Sequence, residues 1–275
     1  MINLTNENGI DCVSLTPFQE DGESWAIVVS WRSGVDGLPE KRAFHEALES
    51  SIEGCEKNGA LCIDSRVITA SEGVNEMLST SRAALHRDCL SACGFVRGED
   101  RVEYRMDLAD ALTALETGMS ESELVWNCVD TQRESELARA ADLLVRASEG
   151  DPASNPDDDA LGFLRVLFED KETVHVPERL QIGRCGNDPA ALIALKTYPG
   201  DGWSSIYYLG VLPVFRGRGF GVAAMLQALR SLKAMGGRIY HDGTASGNAA
   251  ARALFARFGR PPFRVMEEWR LKIQV

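Results

Sequence analysis

Between Val222 and Met235 the apolar side chains fall three or four residues apart, at Val222, Met225, Leu226, Leu229, Leu232 and Met235. That period predicts an amphipathic helix, and Gly236-Gly237 supplies its stop. Just upstream, "SSIYYLGVL" lacks the helical stripe and reads as a strand ended by Pro213. The same reading from Glu123 onward predicts a strand "ELVWNCV", helices "RESELARAADLLVRAS" and "ALGFLRVLFED", and strands "ERLQIGRC" and "AALIALKTY". After the glycine pair come a strand "RIYH" and a last helix "NAAARALFARFG". The pattern is mixed α/β, with a sheet flanked by helices.

Toward the N-terminus the patterning predicts strands at "CVSLTPF", "SWAIVVSW" and "ALCID", a helix at "EKRAFHEALESSIEGCEKNG" and a second helix ending at Cys93. The two halves end alike. "LSACGFVRGEDRVEYRMDL" and "FARFGRPPFRVMEEWRLKI" both pass from helix through glycine to strand, and Gly94 precedes Tyr104 by the ten positions that separate Gly259 from Trp269. Glu103-Tyr104-Arg105-Met106 lies over Glu268-Trp269-Arg270-Leu271, which predicts two related units, 1–112 and 113–275. The first lacks room for the opening strand and two helices of the second, so it reads as a truncated copy.

Composition narrows the function. The chain has 275 residues, 44% of them hydrophobic, and a net charge of −12. An acidic balance disfavours nucleic acid and anionic membrane surfaces as partners. No apolar run is long enough to span a bilayer, and the first twenty residues lack the pattern of a signal peptide. Seven cysteines without a CxxC pair point to reduced thiols, so the expected location is cytoplasmic. His86, Cys89 and Cys93 share a helical face, but this trio lacks a fourth ligand and reads as a buried face, not a metal site.

The chemistry concentrates at "LGVLPVFRGRGFGVAAMLQAL", Leu209 to Leu229. Here a strand stops at a proline, and Arg216, Gly217, Arg218, Gly219, Phe220 and Gly221 lead into the predicted helix. Amides at a helix N-terminus lack intrahelical partners and sit at the positive end of the dipole, so they bind anions. Glycines allow positive φ and close approach, and arginines add charge. A diphosphate suits this corner; a solvated turn is the alternative. A P-loop is excluded because no Gly-Lys-Ser/Thr follows, and a dinucleotide fingerprint because the glycines come late, after a meander of strands.

Arg216, Gly219 and Gly221 after "LGVLP", with Asn248, Ala251, Leu254 and Gly259 downstream, resemble the signature of the GNAT superfamily of acyl-CoA-dependent N-acyltransferases, over roughly Glu123 to Val275. The two-unit arrangement is similar to that of tandem GNAT proteins of the mycothiol synthase type. The resemblance implies a GNAT fold, acetyl-CoA or a related acyl-CoA as donor, and the amine of a small molecule or peptide as acceptor. It further implies that the amides from Arg216 to Gly221 hold the coenzyme A pyrophosphate, and that the main chain at Leu209 and Val211 pairs with the pantetheine arm. Asn248 and Phe255 would lie further along the cofactor. Val211 as plain core and Asn248 as a helix N-cap are the alternatives. The N-terminal unit offers "RSGVDGLPEK" where the loop would be, and Ala83 where Asn248 would be, so it is not expected to bind coenzyme A.

Two positions depart from the family. The glutamate common on its fourth strand falls at Ser205, and the tyrosine common in its last helix falls at Phe255. Tyr207 shares a strand face with Ser205 by alternation, with Tyr208 pointing away, and His241 stands beside Asp242 at the end of the next strand. Ser205, Tyr207 and His241 are therefore the candidate catalytic positions. A non-catalytic acyl-CoA-binding or regulatory protein is the alternative. The segment "EGDPASNPDDDA" carries Glu149, Asp151, Asp157, Asp158 and Asp159; it is either solvated surface or a collar for a cationic acceptor.

Overall fold

The last strand of the chain does not stay with the residues that precede it. β11 (Arg264–Lys272) runs antiparallel to β4 (Cys62–Ser71), in register from Arg264↔Ser71 to Lys272↔Cys62, with one irregularity between Val265 and Met266. In the computed structural model, which describes all residues except 22, 72–75, 118–122, 151–158 and 274–275, the chain forms two units. One is Met1–Val102 with Pro262–Val275; the other is Glu103–Pro261. The division falls within β5 (Val96–Asp107).

The first unit holds β1 (Ile2–Thr5), β2 (Asp11–Asp21), β3 (Ser24–Trp31), α1 (Lys41–Lys57), β4 and α2 (Glu76–Ala92). Its strand order is β1-β2-β3-β4-β11-β5, with β3 and β4 parallel and joined through α1. The apolar faces of both helices meet in a core containing Leu15, Ile27, Phe44, Leu48, Ile63, Leu90 and, from β11, Trp269. Gly94, which follows α2 with φ +83°, turns the chain into β5. Gly259, with φ +66°, plays the same part between α7 (Ala249–Ala256) and β11, so the repeated ending is one local structure made twice. His86 packs edge-on against Phe44 beside Ser65, and burial pushes its pKa down to about 3. Among the described residues no cluster of potential ligands holds a metal geometry.

In the second unit, β6 (Leu124–Cys128), β7 (Leu180–Cys185), β8 (Asp188–Tyr198) and β9 (Trp203–Val211) form an antiparallel meander, and β10 (Ile239–Ala245) joins β9 in parallel. The order is β5-β10-β9-β8-β7-β6. Helices α4 (Glu134–Ser148) and α5 (Ala160–Glu169) cover one face, through Leu137, Leu144, Leu164 and Leu167 against Leu192 and Ala194. α6 (Phe220–Ala234) covers the other, where its Ser231 receives a hydrogen bond from Gln181. The predicted elements are recovered, most within a few residues, although β4 runs on to Ser71, past the predicted end of "ALCID" at Asp64. Two went unread: β1, and α3 (Leu108–Glu116), whose Leu108, Ala111, Leu112 and Leu115 are buried at helical spacing behind an Asp107 cap. No helix among the described residues is long and apolar enough to cross a membrane.

Candidate active site

Pro213 opens a one-turn 3-10 segment, Pro213–Phe215, that carries the chain off β9. Gly217 and Gly219 then adopt φ +76° and +81°, conformations that an L side chain strains to reach, and Gly219 is the N-cap of α6. The amides of Phe220 and Gly221 precede the first helical bonds of this fifteen-residue helix, in which Val222 and Ala223 donate to the Gly219 carbonyl at 3.1 and 3.2 Å. A Cβ at Gly217 or Gly219 would meet nothing within 4 Å, so the loop is held by its dihedral angles and open on its outer side. Arg216, for its part, is tied inward. Its guanidinium donates to the carbonyls of Val211 at 3.0 Å, Ala147 at 3.0 Å and Glu149 at 2.8 Å. Two of those carbonyls belong to the last turn and C-cap of α4, the negative end of its dipole. Arg218 lies over the rings of Phe215 and Phe220 and pairs with Glu123 at 3.4 Å.

Beside this loop the sheet opens. The register between β9 and β10 covers Ile239↔Trp203 and Tyr240↔Ser204, after which β9 continues to Val211 and β10 to Ala245. Across the meander, β8 meets β9 with a shift: Ala194 faces Tyr208 and Leu195 faces Ile206, leaving Tyr207 as an extra residue, a β-bulge. The bulge corrects the expectation for Tyr208. Both tyrosines pack on the same apolar cluster under α4 and α5. Tyr208 gives its hydroxyl to the carbonyl of Leu144 at 3.1 Å and lies 2.8 Å from the Ser148 hydroxyl.

Ser205 pairs with Lys196, and the Lys196 ammonium lies 4.5 Å from the Tyr207 ring centroid, so the predicted shared face of Ser205 and Tyr207 is observed. Tyr207 stacks on Phe163, and burial pushes its phenol above the ordinary tyrosine range. His241 follows the last paired residue of β10. Its ring contacts Trp203 at 4.5 Å, and its Nε2 lies 3.4 Å from Glu103 Oε2, the two side chains being 15% and 18% exposed. Lys196 also pairs with Asp170 at 3.4 Å. Sequence reading missed Glu103, Lys196 and Trp203. A lone lysine in the apolar run of β8 is a visible signal; Glu103 stands out in the sequence only as part of the repeat.

Asn248 caps α7, its Oδ1 accepting from the Ala251 amide at 2.9 Å. Phe255 is 5% exposed and stacks on Tyr104, ring centroids 4.4 Å apart. Asp159 caps α5 through the Gly162 amide at 2.7 Å, whereas Asp151, Asp157 and Asp158 lie outside the described residues. A cavity of about 680 Å³ opens at the first turn of α4 and the last of α5, lined by Thr131, Glu134, Phe168, His175 and Arg179. The glycine loop meets the other end of α4, a helix length of roughly 22 Å away.

Residues 138–259 match the acetyltransferase (GNAT) family. That stretch, less than half of the chain, is similar to the family in sequence. Solved structures extend the likeness in fold beyond it. A GCN5-related N-acetyltransferase from Sphaerobacter thermophilus aligns with a TM-score of 0.60 at 13% identity, covering 98% of this chain and 79% of that one. A tandem GNAT protein from the clavulanic acid biosynthesis pathway aligns at 0.60 with 14% identity, over 98% and 81% of the two chains. A GCN5-related N-acetyltransferase from Kribbella flavida gives 0.58 with 15% identity, over 98% and 89%. No curated sequence matches the chain. The GNAT fold thus accounts for both units, with the glycine corner and the parting strands inside the matched domain.

Proposed function

We propose that the GNAT domain transfers an acyl group, acetyl in the first instance, from an acyl-CoA to the amine of a small-molecule or peptide acceptor. One observation carries the reading: the left-handed Gly217 and Gly219 open the N-terminus of α6 directly beyond the strand that parts from β10. The amides from Arg216 to Gly221 suit a pyrophosphate. The main chain of Leu209 and Val211, along the parted edge of β9, suits an extended amide-bearing arm. In this reading Asn248, the N-cap of α7, and Phe255, within it, lie further along the cofactor. When bound, the thioester supplies an activated acyl group.

The chain's own contribution is proton handling. An alkylammonium of pKa near ~10 must lose its proton before it can act as a nucleophile. Ser205 cannot take it. The buried phenol of Tyr207 holds its proton more firmly than usual, so at neutral pH it has no free base to accept the proton. His241, whose Nε2 lies 3.4 Å from Glu103 Oε2, is the base in this reading. The N-terminal unit has Gly34 and Gly37 at left-handed φ, but they precede α1 without the arginine spacing, and it takes no coenzyme A in this proposal.

Calorimetric titration with coenzyme A tests the binding half. Gly219→Val should abolish the heat of binding and Gly34→Val should leave it intact; undiminished affinity in Gly219→Val overturns the assignment. For the chemistry, thiol release against a panel of amines should fall at least tenfold in His241→Gln at neutral pH, with coenzyme A affinity unchanged. Tyr207→Phe should lower turnover less. A pH–rate profile that both substitutions leave unaltered removes these residues from proton transfer. Turnover with no amine on the panel, with coenzyme A still bound, would favour the binding-protein alternative.

A further inference from the structure

Where two parallel strands part, the main-chain groups facing the gap must find partners other than each other. On β9 one of them finds a side chain. The Ile206 amide donates to Asp242 Oδ2 at 3.0 Å, the Tyr240 hydroxyl reaches the same oxygen at 3.3 Å, and the Gly243 amide donates to Oδ1 at 2.9 Å. The carboxylate stands where a carbonyl of β10 would stand had the pairing continued past Tyr240↔Ser204. It therefore lies across the gap at its narrow end.

We infer that Asp242 closes the inner end of the acyl pocket and restricts the donor to acetyl-sized groups. The inference rests on the coenzyme A reading above and adds the substrate class. A ligand anchored at the glycine loop and lying along β9 enters beyond Val211 and reaches Ile206 after five residues, roughly 16 Å at strand rise. Its far end meets the carboxylate. A two-carbon group ends there. A longer aliphatic tail must push the carboxylate off its three donors, which strands the Ile206 amide, or must press hydrocarbon against an ionised oxygen; both are costly. An apolar residue at this position would instead have left a greasy floor, on which each added methylene gains about fourfold in affinity.

The test is calorimetry, without acceptor, of coenzyme A, acetyl-CoA, butanoyl-CoA and hexanoyl-CoA on the full chain and on Asp242→Ala. Wild type should bind hexanoyl-CoA at least tenfold more weakly than acetyl-CoA. Asp242→Ala should tighten butanoyl-CoA relative to acetyl-CoA by on the order of tenfold, the gain expected for two methylenes. Asp242→Ser keeps an acceptor for the Ile206 amide on a shorter side chain and should show the same relaxation if the alanine variant fails to fold. A chain-length preference unchanged in the folded variant overturns the inference while leaving coenzyme A binding in place. Failure of wild type to bind coenzyme A at all overturns the underlying reading, and this inference with it.

Discussion

Asp242 supports the sheet at the expense of its own ionisation. Burial pushes its carboxyl up to about 6, against the pull of two amides, the Tyr240 hydroxyl and the neighbouring His241. Its folded pKa therefore lies above its unfolded value near ~3.9. Between those values the folded state holds a proton the unfolded state has lost, so this group's contribution to stability falls as pH rises from about 4 to 6 and is level above. Asp242→Asn has no such carboxyl. Its melting temperature relative to wild type should climb across that window and then stay constant; a difference flat from pH 4 to 7 would refute the burial argument. The neighbouring residues show how far the sequence could be read. Alternation placed Ser205 and Tyr207 on one face correctly. It failed one residue later, because the bulge at Tyr207 is set by the register with β8, which no local pattern encodes. Glu103 was invisible for a related reason: its partner His241 comes from a strand far along the chain, and only topology brings β5 beside β10.

The sequence offers Arg216 as charge for a phosphate, but its hydrogen bonds serve the helices. It ties the exposed carbonyls at the end of α4 to the turn that starts α6. Arg216→Ala should cost about 2 kcal/mol, the scale of charge-assisted bonds partly open to solvent. Arg216→Lys should recover little of that loss, since a single ammonium cannot span three carbonyls. Thermal melts of the two variants decide this, and a fully stable lysine variant would show that charge alone suffices. On α5, the Asp159 carboxylate sits so close over Gly162 that a Cβ there would collide with it. Asp159→Ala should lose the cap and about 1 kcal/mol, by denaturant unfolding. Helix α3 was legible in principle. Its apolar residues keep helical spacing, but the expected boundary between 112 and 113 falls inside this nine-residue element, which starts on Leu108, the last residue of the repeated ending.

At the scale of the molecule, the repeated ending has a structural meaning that its sequence could announce but not locate. Tyr104 and Trp269 are equivalent in the repeat. Tyr104 is buried against Phe255 in the second unit, and Trp269 lies in the core of the first. Cutting the chain between the halves, or trimming its end, therefore removes a central strand from one of them. With β11 go the two 2.7 Å bonds from Arg270 to Asp64, and the nearly buried Glu267 that Arg87 and Arg97 hold at 2.8 and 3.2 Å. A chain ending at residue 261 should lose amide-exchange protection at Leu15, Ile27 and Ile63, and protection unchanged at those amides would contradict the account. The same placement orders events during synthesis. Residues 1–102 leave the ribosome well before β11, so the β11-facing edges of β4 and β5 stay exposed and unpaired until 264–272 have been made. This unit emerges before the other and is completed after it, so in the interval its open strand edges depend on chaperones.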